Sequence, residues 1–130
     1  MRILIVDDEP IAQDILETYI KRIPGLQLAG KCRNALEAFT AINKQPVDLL
    51  LLDINMPEVL GVDFVRSLKH PPLVIFTTAY TEYAIESYEL NAIDYLLKPI
   101  AFERFLKAIQ KANDALQQTA PTVQPADNVV

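Results

Sequence analysis

The apolar positions change period along the chain, and the change recurs. Ile3-Leu4-Ile5-Val6 is a short, continuously apolar and mostly β-branched run, the pattern of a strand buried on both faces. It stops at Asp7-Asp8-Glu9-Pro10, where acidic residues and a proline can open a helix. Ile11, Ile15, Leu16, Tyr19, Ile20 and Ile23 follow at helical spacing, and Pro24-Gly25 ends that helix. Residues 26–32 read as a strand. Asn34 can cap a helix that carries Leu36, Phe39, Ala41 and Ile42 and stops before Pro46. Leu49 to Leu52 is a second fully apolar run, closed by Asp53. The spacing then predicts a short helix over 62–68, a strand over 72–76 ending at Thr77-Thr78, and a helix over 81–90. A short strand over 93–97 is closed by Lys98-Pro99. The last helix carries Phe102, Phe105, Leu106, Ile109 and Ala112 and reaches Leu116.

Five strand–helix units in succession imply an α/β domain, its mostly parallel sheet covered on both faces. Right-handed crossovers leave few topologies. The expected one is a five-stranded, doubly wound sheet of flavodoxin-like order 2-1-3-4-5. The domain is expected over 1–116. Residues 117–130 hold two prolines, several Gln and Thr and no periodicity, which reads as a linker-like tail leading to an absent output domain.

Composition narrows the function. Of 130 residues, 51% are apolar and 22% charged, which suits a folded domain rather than a disordered one. Lys+Arg is 12 against 17 Asp+Glu, a net charge of −5, so direct nucleic-acid binding by this domain is not expected. No apolar stretch approaches the ~20 residues that span a bilayer, and the first residues carry no signal-peptide pattern. One cysteine, Cys32, points to a reducing, cytoplasmic setting and reads as a packing residue. One histidine, His70, excludes a multi-histidine zinc site. It precedes Pro71-Pro72 and reads as a plain surface residue.

The polar residues that interrupt the pattern share one position. Asp7 and Asp8 follow the first strand, Asp53 the third, Thr77 and Thr78 the fourth, and Lys98 the fifth. In an open parallel sheet these are the carboxyl ends, the edge where ligands bind at the reversal of strand order. Taken singly, Asp7 or Asp8 could cap a helix, Asp53 could start a turn, and Lys98 could be a solvated surface lysine. Together they form a set. In the order 2-1-3-4-5, the first and third strands are neighbours, so Asp7, Asp8 and Asp53 converge. Three carboxylates call for a cation, and oxygen ligands with several waters suit Mg²⁺. With a lysine and a hydroxyl, the set can hold a transferring phosphoryl group. A carboxylate beside the metal can act as nucleophile and form an aspartyl-phosphate.

The segments Ile3-Leu4-Ile5-Val6-Asp7-Asp8-Glu9-Pro10, Leu51-Leu52-Asp53-Ile54-Asn55-Met56-Pro57, Thr77-Thr78-Ala79 and Leu97-Lys98-Pro99 resemble the signature segments of response-regulator receiver domains over about residues 1–115. The resemblance implies that Asp53 is the phosphoacceptor. It implies that Asp8 ligates Mg²⁺ directly, Asp7 mainly through water, and Asn55 through its backbone carbonyl. It makes Thr78 the switch hydroxyl, Lys98 the partner of the phosphoryl oxygens, and Tyr95 the switch aromatic. It also implies a cis Lys98-Pro99 bond and a histidine kinase as phosphodonor, with homodimerisation on phosphorylation. Phe76-Thr77-Thr78-Ala79-Tyr80 with Glu82-Tyr83-Ala84, and Asn91-Ala92-Ile93-Asp94-Tyr95-Leu96, look like receivers that precede a LytTR-type (LytR/AlgR-like) DNA-binding domain. One departure is Glu58-Val59-Leu60-Gly61, where the family often has a small residue or glycine directly after Met-Pro. The loop is therefore expected to be less flexible.

Three other functions compete. Haloacid-dehalogenase-like phosphatases use an aspartate nucleophile on a similar sheet but need an acid two residues later, where this chain has Asn55. A flavodoxin-like electron carrier needs a donor-rich phosphate loop, and Asp7-Asp8-Glu9 would repel the flavin phosphate. A phosphate-independent interaction module needs none of the acidic pair, nucleophile, hydroxyl and lysine. Four of the five tyrosines fall between Tyr80 and Tyr95, a density that suits either core packing or a binding face.

Overall fold

The structure, a computed structural model, describes residues 1–80 and 91–119. Its elements are β1 (Arg2–Val6), α1 (Pro10–Arg22), β2 (Gln27–Cys32), α2 (Ala35–Lys44), β3 (Leu49–Asp53), α3 (Gly61–Ser67), β4 (Leu73–Thr78), β5 (Asp94–Leu97) and α4 (Phe102–Thr119). The helix expected over 81–90 lies outside the described residues. All four strand pairings are parallel. The order is β2-β1-β3-β4-β5, as the sequence pattern implies.

The two apolar runs form the middle of the sheet because side chains alternate between its faces. Leu4, Val6, Leu50 and Leu52 point to one side, into a core shared with Ala38 of α2 and with Val62 and Val65 of α3. Ile3, Ile5, Leu49 and Leu51 point to the other, against Leu16 and Ile20 of α1 and Phe105, Ala108, Ile109 and Ala112 of α4. Each such fully buried aliphatic contributes about 1.5–3 kcal/mol by leaving water.

Local chemistry sets the helix ends. Pro10 occupies the first turn of α1, with Glu9 as N-cap. Asn34 caps α2, accepting the Glu37 N–H at 2.8 Å. Helix α4 continues to Thr119, beyond the end expected at Leu116. Gln117 and Gln118 are adequate helix formers, and the first breaker after them is Pro121.

Two interactions tie the last units together. Tyr19 of α1 donates its hydroxyl to the Ile100 carbonyl at 2.7 Å, and its ring packs edge-on against Phe102 at 5.2 Å. Arg104 of α4 grips Asp94 of β5 through two parallel hydrogen bonds of 2.7 and 2.8 Å. Burial alone would raise the Asp94 carboxyl, but Arg104, the Tyr95 N–H and Lys111 outweigh it and hold it below the usual carboxylate range.

Candidate functional site

The carboxyl edge of the sheet gathers the residues that end the strands. Val6 and Leu52 are register partners, so the residues after them, Asp7 and Asp53, lie side by side. Asp53 in turn pairs with Thr77 of β4, and Thr78 with Leu97 of β5. One carboxylate oxygen each from Asp7, Asp8 and Asp53 lies within 4.8 Å of the other two. Asp7 and Asp53 are buried and Asp8 is exposed, so the cluster has a dry floor and a wet rim.

Lys98 reaches this cluster from the start of the loop after β5. Its Nζ stands 2.9 Å from Asp7 Oδ2, 3.3 Å from Asp53 Oδ2 and 2.7 Å from Glu9 Oε1. The Lys98 N–H donates to the Thr78 carbonyl at 2.7 Å, and the Lys98-Pro99 bond is cis. Burial disfavours the ammonium, yet Glu9, Asp7 and Asp53 outweigh it and raise the affinity of Lys98 for its proton. Burial pushes the Asp53 carboxyl up to about 6, and the Asp7 charge adds to the rise, while Lys98 and the Asn55 N–H pull the other way.

The capping alternative for Asp7 does not describe the site. Asp7 Oδ1 accepts the N–H of Glu9 at 2.9 Å, while the α1 cap itself carries no side-chain bond. Asp7 Oδ2 is buried and, among the described residues, makes no hydrogen bond beyond its ion pair with Lys98. A buried, under-coordinated carboxylate oxygen beside two further carboxylates suits a hard divalent cation. The site residues therefore fit Mg²⁺, and exposed Asp8 fits an ion that keeps waters.

The hydroxyl and amide groups line the far side. Asp53 Oδ1 accepts the Asn55 N–H at 3.0 Å. Thr78 is fully buried, and its Oγ1 accepts the Tyr80 N–H at 3.1 Å and faces Asn55 Nδ2 at 3.5 Å. The Tyr80 carbonyl in turn accepts the Tyr95 hydroxyl. Tyr95 is half-buried against the core that contains Phe76. Thr77 is also buried, with its Oγ1 unbonded among the described residues.

Three residues with a part in this geometry are not singled out as site residues by the pattern of the sequence. Gln13, buried on α1, donates Nε2 to the carbonyls of Asp7 at 2.7 Å and Cys32 at 3.0 Å, which fixes the backbone under the acidic pair. Gly61 donates its N–H to the Ile54 carbonyl at 2.7 Å. A Cβ there would lie 2.6 Å from the Asp53 carbonyl oxygen. The third is Glu9, through Lys98. Of these, only Gly61 leaves a signal, as a glycine at the first position of a helix where nothing in the turn demands one. The Cys32 thiol is pushed up to about 11 by burial and by Glu37, so it is an inert packing group.

Beside the site, Ile11 and Ile15 of α1 stay exposed rather than entering the core. With Ala79, Lys98, Pro99 and Ile100 they line an apolar groove of about 690 Å³ that opens next to Asp8 and Glu9. No helix among the described residues is long and apolar enough to cross a membrane.

Residues 3–110 match the family described as response regulator receiver domain. The chain is 41% identical over 113 residues to the transcriptional regulatory protein BtsR of Escherichia coli K12, covering 85% of this chain and 47% of that protein. It is 37% identical over 122 residues to the sensory transduction protein LytR of Staphylococcus saprophyticus, covering 92% of this chain and 48% of that protein. It thus spans about half the length of the curated relatives it matches. Among solved structures, the response regulatory domain of protein mrkE from Klebsiella pneumoniae is similar with a TM-score of 0.82 and 34% identity. That alignment covers 92% of this chain and all of the other.

Proposed function

The chain belongs to the response regulator receiver family, and from that premise we propose that Asp53 is its phosphoacceptor. The observation that carries the reading is the setting of Asp53. Its carboxylate is buried at the end of a central strand, with Lys98 Nζ at 3.3 Å and Asp7 and Asp8 alongside. The phosphodonor is a histidine kinase. A carboxylate oxygen of Asp53 forms the new P–O bond as the P–N bond to the donor imidazole breaks. The electron pair stays on the leaving nitrogen. Lys98 orients the phosphoryl oxygens and neutralises part of their charge.

Asp8 and Asp53 would hold Mg²⁺ directly, with the Asn55 backbone carbonyl, and Asp7 mainly through water. Bound there, the ion supplies neutralisation of the phosphoryl charge. The output is a change in binding, and the domain catalyses only its own phosphorylation and dephosphorylation. Thr78 and Tyr95 are the switch pair, joined through the Tyr80 backbone, and the partner or dimer surface lies on the β5 side of the sheet. Residues after 116 lead to an output domain of LytTR type, in a cytoplasmic regulator. Asn55 argues against a phosphatase of the dehalogenase type, since an amide N–H is far too weak an acid to protonate a leaving group.

Incubation with acetyl phosphate and Mg²⁺, followed by intact mass, tests the reading. One added phosphoryl group, labile to hydroxylamine, is expected on the parent chain and none on Asp53→Asn. Undiminished labelling of Asp53→Asn sinks the assignment.

A further inference from the structure

Lys98 has three carboxylate neighbours, and the nearest is not one of the metal cluster. Glu9 Oε1 lies 2.7 Å from Nζ, against 2.9 Å for Asp7 and 3.3 Å for Asp53. Glu9 occupies the N-cap position of α1, yet its side chain makes no capping bond. It reaches across to the loop after β5 instead. Its backbone is held in place, because its N–H donates to Asp7 Oδ1.

An ammonium has three N–H donors, and here three carboxylates face them. A phosphoryl group on Asp53 replaces the one carboxylate oxygen that meets Lys98 with several charged oxygens, which draw more than one of those donors, so Asp7 or Glu9 has to give way. Asp7 Oδ2 is buried and, among the described residues, has no hydrogen-bond partner beyond its ion pair with Lys98, so losing Lys98 leaves it unpaired at high cost. Glu9 has 62% of its side chain exposed and can return to water at little cost. It is the exchangeable partner.

We propose that Glu9 is a positioning residue of the phosphoryl site: it engages Lys98 in the unphosphorylated protein, yields it when a phosphoryl group arrives, and so sets how readily Asp53 is modified. This rests on the receiver reading given above. Glu9 adds nothing to the chemistry at phosphorus. It competes for the cation that the incoming oxygens require.

The test is the rate at which acetyl phosphate labels Asp53, read by intact mass. In that reaction the Asp53 carboxylate displaces acetate, which leaves with the electron pair of the broken P–O bond. Glu9→Gln should label about two- to fivefold faster than the parent, the scale of an exposed ion pair, and the gain should shrink in high salt. In a Lys98→Gln background the gain should vanish. A gain that persists there means a through-space charge effect and overturns the proposal, as does an unchanged rate. Glu9→Ala is the second variant, should the amide disturb the start of α1. A metal-free readout stands beside the kinetics: the side-chain NMR resonances of Lys98 should move in Glu9→Gln, and unmoved resonances mean the pair does not exist. A parent that takes no phosphoryl group overturns the receiver chemistry and this proposal together. A parent that is labelled as fast as Glu9→Gln overturns this proposal alone.

Discussion

Gly61 sits so close to Asp53 that no other residue fits without displacement. A Cβ at 61 would stand 2.6 Å from the Asp53 carbonyl oxygen and 3.0 Å from the Ile54 Cα. Both are backbone atoms of the strand end that presents the proposed nucleophile. The first turn of α3 therefore braces the carboxylate from behind.

Two substitutions in this loop should act in opposite directions. Gly61→Ala forces either α3 or the end of β3 to move, at about 1–3 kcal/mol, the scale of overpacking. It should also slow labelling of Asp53. Glu58 lies in the left-handed region at φ 73°, where a side chain is strained and glycine is not. Glu58→Gly should therefore be neutral or stabilising by up to about 1 kcal/mol. Thermal melts of the two variants give the comparison. A Gly61→Ala protein as stable and reactive as the parent would mean that the strand end yields freely.

Metal binding should appear in stability. An ion that prefers the folded state raises its melting temperature by mass action. Millimolar Mg²⁺ should stabilise the parent and do much less for Asp8→Ala. The two melts, each with and without Mg²⁺, decide it. Equal shifts would remove Asp8 from the ligand set.

The raised Asp53 carboxyl sets a pH window. The folded value of about 6 lies above the ordinary 3.8, so the folded state takes up this proton before the unfolded state does. The charged carboxylate then costs stability in full above about pH 6, and the cost fades as pH falls toward 3.8. In metal-free buffer, Asp53→Asn should be more stable than the parent at pH 7.5, by about 1–3 kcal/mol. The advantage should shrink toward pH 4.5. An advantage that is the same at both pH values would mean that desolvation of this charge is not its source.

That Asp7, Asp53, Thr78 and Lys98 meet at one edge of the sheet is legible in the sequence, for a physical reason. Strands buried on both faces are continuous apolar runs, so the first polar residue after each run marks the sheet edge. Asp7, Asp53 and Lys98 stand at such breaks, and Thr78 closes its strand. The rest depends on side chains that meet across the fold. Glu9 and Lys98 are 89 residues apart, and no periodicity encodes their pairing. Gln13 is a polar residue outside the apolar spacing of α1, yet it is buried on two carbonyls. Ile11 and Ile15 carry the opposite mismatch: they follow the apolar spacing of α1 but remain exposed. Gln and Thr near a proline read as linker, yet helix propagation carries α4 past Leu116, through the exposed Gln117 and Gln118, to Thr119.

The proposed switch pair, Thr78 and Tyr95, gives the remaining prediction. Thr78 Oγ1 holds the Tyr80 N–H, and the Tyr80 carbonyl holds the Tyr95 hydroxyl. A phosphoryl group that draws Thr78 toward Asp53 pulls on that connection and frees Tyr95 to turn. Beryllofluoride, as phosphate mimic, should then strengthen self-association of the chain. The effect should fall within about 5- to 150-fold, the usual range of such couplings. Analytical ultracentrifugation measures it. Thr78→Ala and Tyr95→Ala should respond less than the parent, and full responses from both would rule out this route.

The hydrogen bond from Tyr19 to the Ile100 carbonyl joins the last turn of α1 to the chain two residues beyond Lys98. The same helix presents Ile11 and Ile15 to the groove. At its other end the same helix carries Glu9, whose carboxylate meets Lys98. Residues 98–100 are therefore fastened to one helix at both ends, by an ion pair at the first and a hydroxyl at the last.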